Sequence, residues 1–322
     1  MGRYRRTVSF PNQPTPNTRP SGPSPKSYHV RSASLPCGRP HPLIPQLREE
    51  VTELWVWERA QTGPGSRFVV DGLSRLKGVL DSLDDVLQLP LTQDSLSSKT
   101  NLVEKLLEEF LRFVDAYGIF QASLLGLKEE VSAAQVAVRR KDDSNLSLFI
   151  KSQKKIAGDV GKLISSVTSS TLEPPSASTT TIVSDYDDEL GHVIRDVHKA
   201  IASVSEAVFD SVSGSFGPCR KPIWASFGIG RKIIKKEEQG MIEEFQSMIK
   251  EVENLLELIK NCKDEKKKRN NKNNDEELTR MRVLKGMQEL EDCIGNMEKG
   301  SERVFRSLIS TRVSLLNILT HA

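Results

Sequence analysis

The histidines are the first residues to consider, because two of the five lie close together in the chain. His192 and His198 are six positions apart in a predicted helix. Six residues of an α-helix turn through about 240° beyond one full circle, so the two imidazoles cannot bind one metal ion. The remaining histidines are distant in sequence, at His29, His41 and His321. The pattern therefore predicts no metal site.

A run of acids and a pair of glycines are the other arrangements that resemble ligand-binding motifs. The acids lack the glycine and the final glutamate of a calcium loop, and they stand at Asp185, Asp187, Asp188 and Glu189. Acids at a helix start complement its dipole, so we interpret the run as a helix N-terminus. Gly228 and Gly230 have no third glycine and follow no predicted strand, so they do not indicate a phosphate loop.

No catalytic arrangement of serine, histidine, cysteine and acid is visible in the sequence. We therefore predict no catalytic residue and no cofactor. The four cysteines include no CxxC pair, and they stand at Cys37, Cys219, Cys262 and Cys293. This usage favours free thiols in a reducing compartment. A cytoplasmic location is expected, and a peripheral membrane, plastid or nuclear location stays open.

The clearest short motif lies in a Pro-rich region near the N-terminus. Arg31 precedes Ser34 by three residues, which suits a basophilic kinase, and Ser32 and Pro36 complete an RSxSxP pattern. Once Ser34 is phosphorylated, this pattern has the form that the arginine cluster of a 14-3-3 protein binds. The sequence therefore predicts phosphorylation of Ser34 and a 14-3-3 protein as a partner.

A second basic motif lies between the last two predicted helices. It consists of four consecutive cations, at Lys266, Lys267, Lys268 and Arg269. Such a run resembles a short nuclear-import signal or a patch that binds an acidic surface. The interpretation we favour is a solvated Lys- and Asn-rich loop over residues 262–274.

Charge is unevenly distributed along the 322 residues, although the net charge is only +3. Residues 1–48 hold eight lysines and arginines and no acid, which leaves 38 basic and 43 acidic residues in the rest. A basic arm joined to a mildly acidic body suits an acidic partner such as an anionic membrane. The body does not have the charge of a nucleic-acid-binding surface.

Hydrophobic periodicity predicts an all-α fold, an elongated helical bundle with coiled-coil-like seams. The first seam is a strict heptad pattern, at Val69, Leu73, Leu76, Leu80, Leu83 and Leu87. Residues 1–45 are rich in Pro, Ser and Arg, which predicts a disordered arm before a helical body over 46–322. A Ser-, Thr- and Pro-rich linker at 169–184 can divide the body into two sub-bundles, 46–168 and 185–322.

Several stretches resemble one family of plant proteins, the Bypass-related group. They follow in order along the chain, at residues 28–36, 39–42, 87–93, 139–141 and 312–321. The resemblance implies a helical protein with no established enzymatic activity or ligand. It also implies a plant regulatory role, since a founding member is associated with root and shoot development through control of a mobile signal.

The resulting hypothesis is a non-enzymatic regulatory or scaffold protein of plant development. Its helical faces would bind protein partners, and self-association is left open. The first alternative is a peripheral membrane adaptor that uses the basic arm and the Lys-rich loop on anionic lipid. The second alternative is an enzyme of unrecognised type.

Overall fold

Eight α-helices make up the described part of the computed structural model, which comprises residues 41–60, 65–169, 185–216, 242–264 and 269–321. In chain order they are α1 Leu43–Ala60, α2 Ser66–Leu87, α3 Pro90–Ser97, α4 Thr100–Arg140, α5 Asp143–Thr168, α6 Asp185–Gly214, α7 Glu243–Asp264 and α8 Arg269–His321. Within these ranges the chain forms no strand. The predicted all-α class is confirmed.

Local sequence explains how α3, α4 and α5 begin and end. Pro90 starts α3 directly after an extended Leu89, a position where its missing N–H costs nothing. Lys141 ends α4 in the left-handed conformation, with φ at 59°. The carboxylate of Asp142 then accepts a hydrogen bond of 3.1 Å from the backbone N–H of Asn145 and caps α5. A tight corner therefore joins α4 to α5.

All eight helices contribute apolar side chains to one hydrophobic core. The longest helix, α8, packs against α2, α4 and α7, while α5 packs between α4 and α6. Two polar contacts show that α4 and α8 are antiparallel: Lys128 bonds Glu298 at 3.0 Å, and Gln135 bonds Glu291 at 3.2 Å. Helices that precede and follow residues 170–184 thus share the same core.

A row of hydrogen bonds fixes the register between α2 and α8, which run in the same direction. Ser307 donates to the Asp81 carboxylate at 2.7 Å. One turn further along α2, the Asp84 carboxylate accepts hydrogen bonds from Ser310 and Ser314 at 3.0 and 2.5 Å. A shift of one residue would break all three bonds, so this row specifies how the two helices align.

The predicted seams are confirmed as core positions. Every heptad residue named above for α2 is buried. In α8, Ser301 and Thr311 occupy seam positions and are fully buried among apolar neighbours. The apolar spacing therefore marks the buried face of α2, and in α8 two polar residues also lie on the buried face.

The structure corrects three sequence predictions about element boundaries. The loop predicted over 262–274 is wrong for most of its length, because α7 continues to Asp264 and α8 begins at Arg269. This stretch contains no glycine or proline, and lysine and glutamate are good helix formers. Helix α1 begins three residues before the predicted start, and the short α3 was not predicted.

Other predictions fall on residues outside the described ranges. These are the disordered arm before residue 41 and nearly all of the predicted linker, which is described only at Ser169. Among the described residues, no helix combines the length and hydrophobicity that crossing a membrane requires.

Replacing each of two glycines of α8 with alanine should change the stability of the protein in opposite directions. A Cβ at Gly300 would lie 3.0 Å from Cδ1 and 3.3 Å from Cβ of the fully buried Leu73, whereas nothing lies within 4 Å of one at Gly295. We expect Gly300→Ala to lower the free energy of unfolding by about 1–2 kcal/mol through overpacking. Gly295→Ala should raise it by about 0.5–1 kcal/mol, because alanine favours the helix. Urea denaturation measures both, and stabilisation by Gly300→Ala would contradict the close α2–α8 packing.

Candidate functional site

The corner between α4 and α5 brings two helix faces together on the surface. Helix α5 turns back along the end of α4, and Ser152 donates a hydrogen bond of 2.9 Å to Glu130 across the pair. The resulting groove has a volume of about 600 Å³. This is within the size range of ligand-binding clefts, roughly 300–1,000 Å³. We call it the α4–α5 groove.

The α4–α5 groove has an apolar interior with two exposed apolar side chains. Small and aromatic residues line its base, and Ala137 and Phe149 there are almost completely buried. Val136 and Leu148, which also line it, are 41% and 57% exposed. Burying these two side chains against a partner would remove their apolar surface from water and so favour binding.

The lining of the groove carries three cations and two acids, a net charge of +1. Arg140 from α4 and Lys151 and Lys155 from α5 line it. The acids on its lining, Glu130 and Asp142, already accept hydrogen bonds from α5. In the described part of the chain, Arg140 and Lys151 form no ion pair. The groove therefore combines apolar surface with positive charge.

A second polar arrangement lies inside the bundle, between α4 and α6. Nε2 of His198 lies 2.7 Å from a carboxylate oxygen of Glu109, and both side chains are about 97–98% buried. Arg112, one turn along α4, bonds the same carboxylate and also donates to the backbone oxygen of Ser169 at the end of α5. We call these three side chains the buried cluster.

The charge balance of the buried cluster explains the protonation of its histidine. Burial lowers the pKa of His198 below 6.5, and Arg112 and Lys199 add to this effect while Glu109 opposes it. Arg112 already neutralises Glu109, so a proton on His198 would leave a net positive charge in the core. The ring of Phe113 lies beside the imidazole at a centroid distance of 5.2 Å. At neutral pH, the neutral His198 thus donates its Nε2–H to Glu109.

We expect the wild type to lose stability as the pH falls from about 6.5 toward the lower folded pKa of His198. The unfolded state binds the proton first, so the histidine contributes stability above pH 6.5 and loses it below, by at most about 1.4 kcal/mol per pH unit. His198→Gln keeps a donor for Glu109 and should flatten this slope. Urea titrations across pH 5–8 measure it, with His192→Gln as control, since His192 is exposed. Identical slopes in wild type and His198→Gln would contradict a neutral buried histidine.

Two other buried titratable groups, the thiol of Cys293 and the hydroxyl of Tyr117, are held in their neutral forms. Burial raises the pKa of the Cys293 thiol to about 12, with Glu244 adding to the effect. A thiol that stays protonated at neutral pH is a poor nucleophile. Burial also raises the pKa of Tyr117, whose hydroxyl lies 3.1 Å from the Ser205 hydroxyl. These groups contribute packing and hydrogen bonds to the core.

The sequence-predicted site residues are widely separated or lie outside the described residues. The phosphorylation motif, comprising Arg31, Ser32, Ser34 and Pro36, lies outside them, as do Gly228, Gly230 and the basic residues Lys266, Lys267 and Lys268. Arg269 is the first residue of α8. His192 lies on an exposed face at 3.0 Å from Arg195, whereas His198 is in the core. The described residues contain no group of three possible metal ligands.

The acidic run at the start of α6 has contacts that the sequence did not indicate. The helix begins at Asp185, as predicted. Asp187 accepts a hydrogen bond from Ser95 and lies 3.6 Å from Nζ of Lys99, while Glu189 pairs with Arg48 at 3.1 Å. The run therefore attaches α6 to α1 and to the α3–α4 junction, in addition to complementing the helix dipole.

Sequence reasoning missed both the buried cluster and the α4–α5 groove. One signal for the cluster was available: His198 lies in the apolar stripe of α6, four residues after Ile194 and three before Ile201. A polar residue in such a stripe requires a buried partner. For the groove, the basic stretch at 139–141 was noticed, but its relation to Lys151 and Lys155 depends on the corner between the helices.

The fold and these surfaces define a helical-bundle protein with a concave, cationic groove on one helix pair. The family model described as Protein BPS1 matches residues 72–318, well over half of the chain. The chain therefore belongs to the BPS1 family, which confirms the Bypass-related resemblance. Comparison with curated proteins and with solved structures finds no match.

Proposed function

We propose that the protein is a non-enzymatic regulatory scaffold of plant root and shoot development that binds other proteins through the α4–α5 groove. The observation that carries this proposal is the exposed apolar pair Val136 and Leu148 beside cations in a groove of about 600 Å³. The role in root and shoot development rests on the resemblance to the Bypass-related family. The cytoplasm is the location that this proposal assumes.

The chemistry of the groove favours binding over catalysis. Its acids are occupied in capping α5 and in bonding Ser152, so they are poorly placed to act as general bases. Its three cations provide electrostatic attraction, and its one hydroxyl, on Ser152, is held in hydrogen bonds to Glu130 and to the backbone oxygen of Phe149. Exposed aliphatic side chains, in turn, gain free energy when a partner removes them from water.

Complementation of a plant line that lacks this protein tests the proposal. The groove variant reverses three charges, with Arg140→Glu, Lys151→Glu and Lys155→Glu. A matched control reverses three exposed cations of α8, with Lys285→Glu, Arg303→Glu and Arg306→Glu. We expect the wild type and the control to restore root and shoot growth and the groove variant to fail. Full restoration by the groove variant, at equal protein level and melting temperature, would overturn the role of the groove.

The N-terminal motif supplies a second interaction in this proposal. Phosphate on Ser34 adds about −1.5 to −2 charge and completes a ligand for an arginine-lined groove of a 14-3-3 protein. A phosphorylated peptide of residues 28–40 should bind 14-3-3 at low-micromolar affinity, and the unphosphorylated peptide should bind more weakly. Fluorescence polarisation measures both. Equal binding of the two peptides would remove this interaction from the proposal.

A further inference from the structure

The charges and shape of the α4–α5 groove also identify the class of partner that it suits. We infer that the groove binds an acidic amphipathic helix of another protein. This inference rests on the proposed function, because it names the partner for the same surface. It adds three properties that the partner must have: negative charge, a helical backbone and one apolar face.

Negative charge follows from the unbalanced cations of the groove. Arg140, Lys151 and Lys155 line it and outnumber its two acids, which keep their charge while they accept hydrogen bonds from α5. A partner that carries carboxylates along its flanks would pair with these cations without displacing an internal bond. A basic partner would meet three like charges instead, which disfavours it.

A helical backbone follows from the geometry of the surface. The groove lies between two antiparallel helices, and a third helix packs into such a groove by placing its ridge of side chains between theirs. The buried Ala134 and Ala137 lie at the base and the exposed Ala133 lines the groove above them, so a partner backbone can approach closely. Val136 and Leu148 then contact apolar residues spaced three and four apart on the incoming helix.

A membrane surface matches this geometry less well than a helix does. The apolar base is recessed, and its residues Ala137 and Phe149 are 4% and 2% exposed. A flat bilayer would reach the lysines and arginine at the edge, yet it would leave the recessed base uncovered. Val136 and Leu148 are the large exposed aliphatic side chains of the lining, and two such side chains give less apolar surface than an interfacial helix presents to a bilayer.

The described helices of the chain itself do not supply the occupant. Helix α7 is acidic and amphipathic, and is the nearest match. Its apolar residues are already buried in the core, at Phe245, Met248, Val252 and Leu255. A second copy of the chain would have to unfold α7 to use it, which makes another protein the better source.

A binding measurement with the full chain tests the inference. The probe is a fluorescein-labelled helical peptide of about three heptads, with leucine on one face and glutamate on the others. Its matched probe replaces each glutamate with lysine. We expect the acidic peptide to bind the wild type and the α8 control equally. The triple groove variant should bind at least tenfold more weakly, and Leu148→Asp should also weaken binding.

Several results would overturn the inference. The inference fails if the acidic peptide does not bind the wild type at concentrations up to about 100 μM. It also fails if the lysine peptide binds as tightly as the acidic one, or if the groove variant binds the acidic peptide as tightly as the wild type does. An alternative result is that the protein sediments with vesicles of phosphatidylcholine and phosphatidylserine while failing to bind the peptide. If the groove variant does not sediment, that result would assign the surface to lipid. Self-association that requires the same cations would assign it to a second copy. If complementation needs the groove while the acidic peptide fails to bind, the proposed function stands and only the partner class falls.

Discussion

The substitution Glu109→Ala is expected to lower the free energy of unfolding by about 3–5 kcal/mol. Glu109 is 2% exposed and is the acceptor shared by His198 and Arg112 in the buried cluster. Its removal leaves the buried His198 donor without its acceptor, and it leaves the Arg112 guanidinium, which is 22% exposed, without its carboxylate partner. Urea denaturation at pH 7 measures the change.

The neighbouring acid provides a matched control for this prediction. Glu108 precedes Glu109 on the same helix but is exposed, so Glu108→Ala should change stability by less than about 0.5 kcal/mol. The double variant Glu109→Ala/His198→Ala should be less destabilised than the sum of its single variants, because the two residues act as a unit. Additive losses, or a loss at Glu109 no larger than that at Glu108, would show that the cluster contributes little.

The second large effect is expected in the seam of α2. Leu80 is fully buried in the hydrophobic core. We expect Leu80→Ala to destabilise the protein by about 2–5 kcal/mol, because it loses buried methyl groups and leaves a cavity between packed helices. Thermal and urea denaturation should both report the loss.

An exposed leucine serves as the control, because it shows whether the loss of stability depends on burial or only on replacing a leucine. Leu91 in α3 is 62% exposed, so Leu91→Ala should have an effect within about 0.5 kcal/mol of zero. A melting temperature that is unchanged by Leu80→Ala would mean that the α2 seam does not face the core. Equal losses for the two variants would contradict the difference in burial.

Sequence periodicity predicts most of the helical core because the spacing of apolar residues is a property of each helix by itself. A residue three or four positions from another lies on the same face, whatever the rest of the chain does. The seam from Val69 to Leu87 could therefore be predicted without knowing that α8 packs against it.

Long-range pairing is the part of the structure that periodicity could not predict. Glu109 and His198 are 89 positions apart, and their contact depends on how α4 and α6 pack. The α4–α5 groove likewise requires the corner at Lys141, where a lysine adopts a conformation more usual for glycine. The predicted loop at 262–274 is wrong for a different reason: a polar composition suits an exposed helix as well as a loop, and a lysine-rich segment without glycine or proline favours the helix.

The central position of α8 has a consequence for how the protein is made in the cell. Helices α2 and α4 bury much of their apolar surface against α8, which a ribosome synthesises after both. At about 5–20 residues per second, the interval from the end of α4 to the end of α8 lasts roughly 10–35 s. During that time the nascent chain carries unpaired leucine and phenylalanine faces, which are targets for chaperones and for aggregation. Premature termination within α8 would leave those faces permanently exposed, so truncated products should be degraded rather than accumulate.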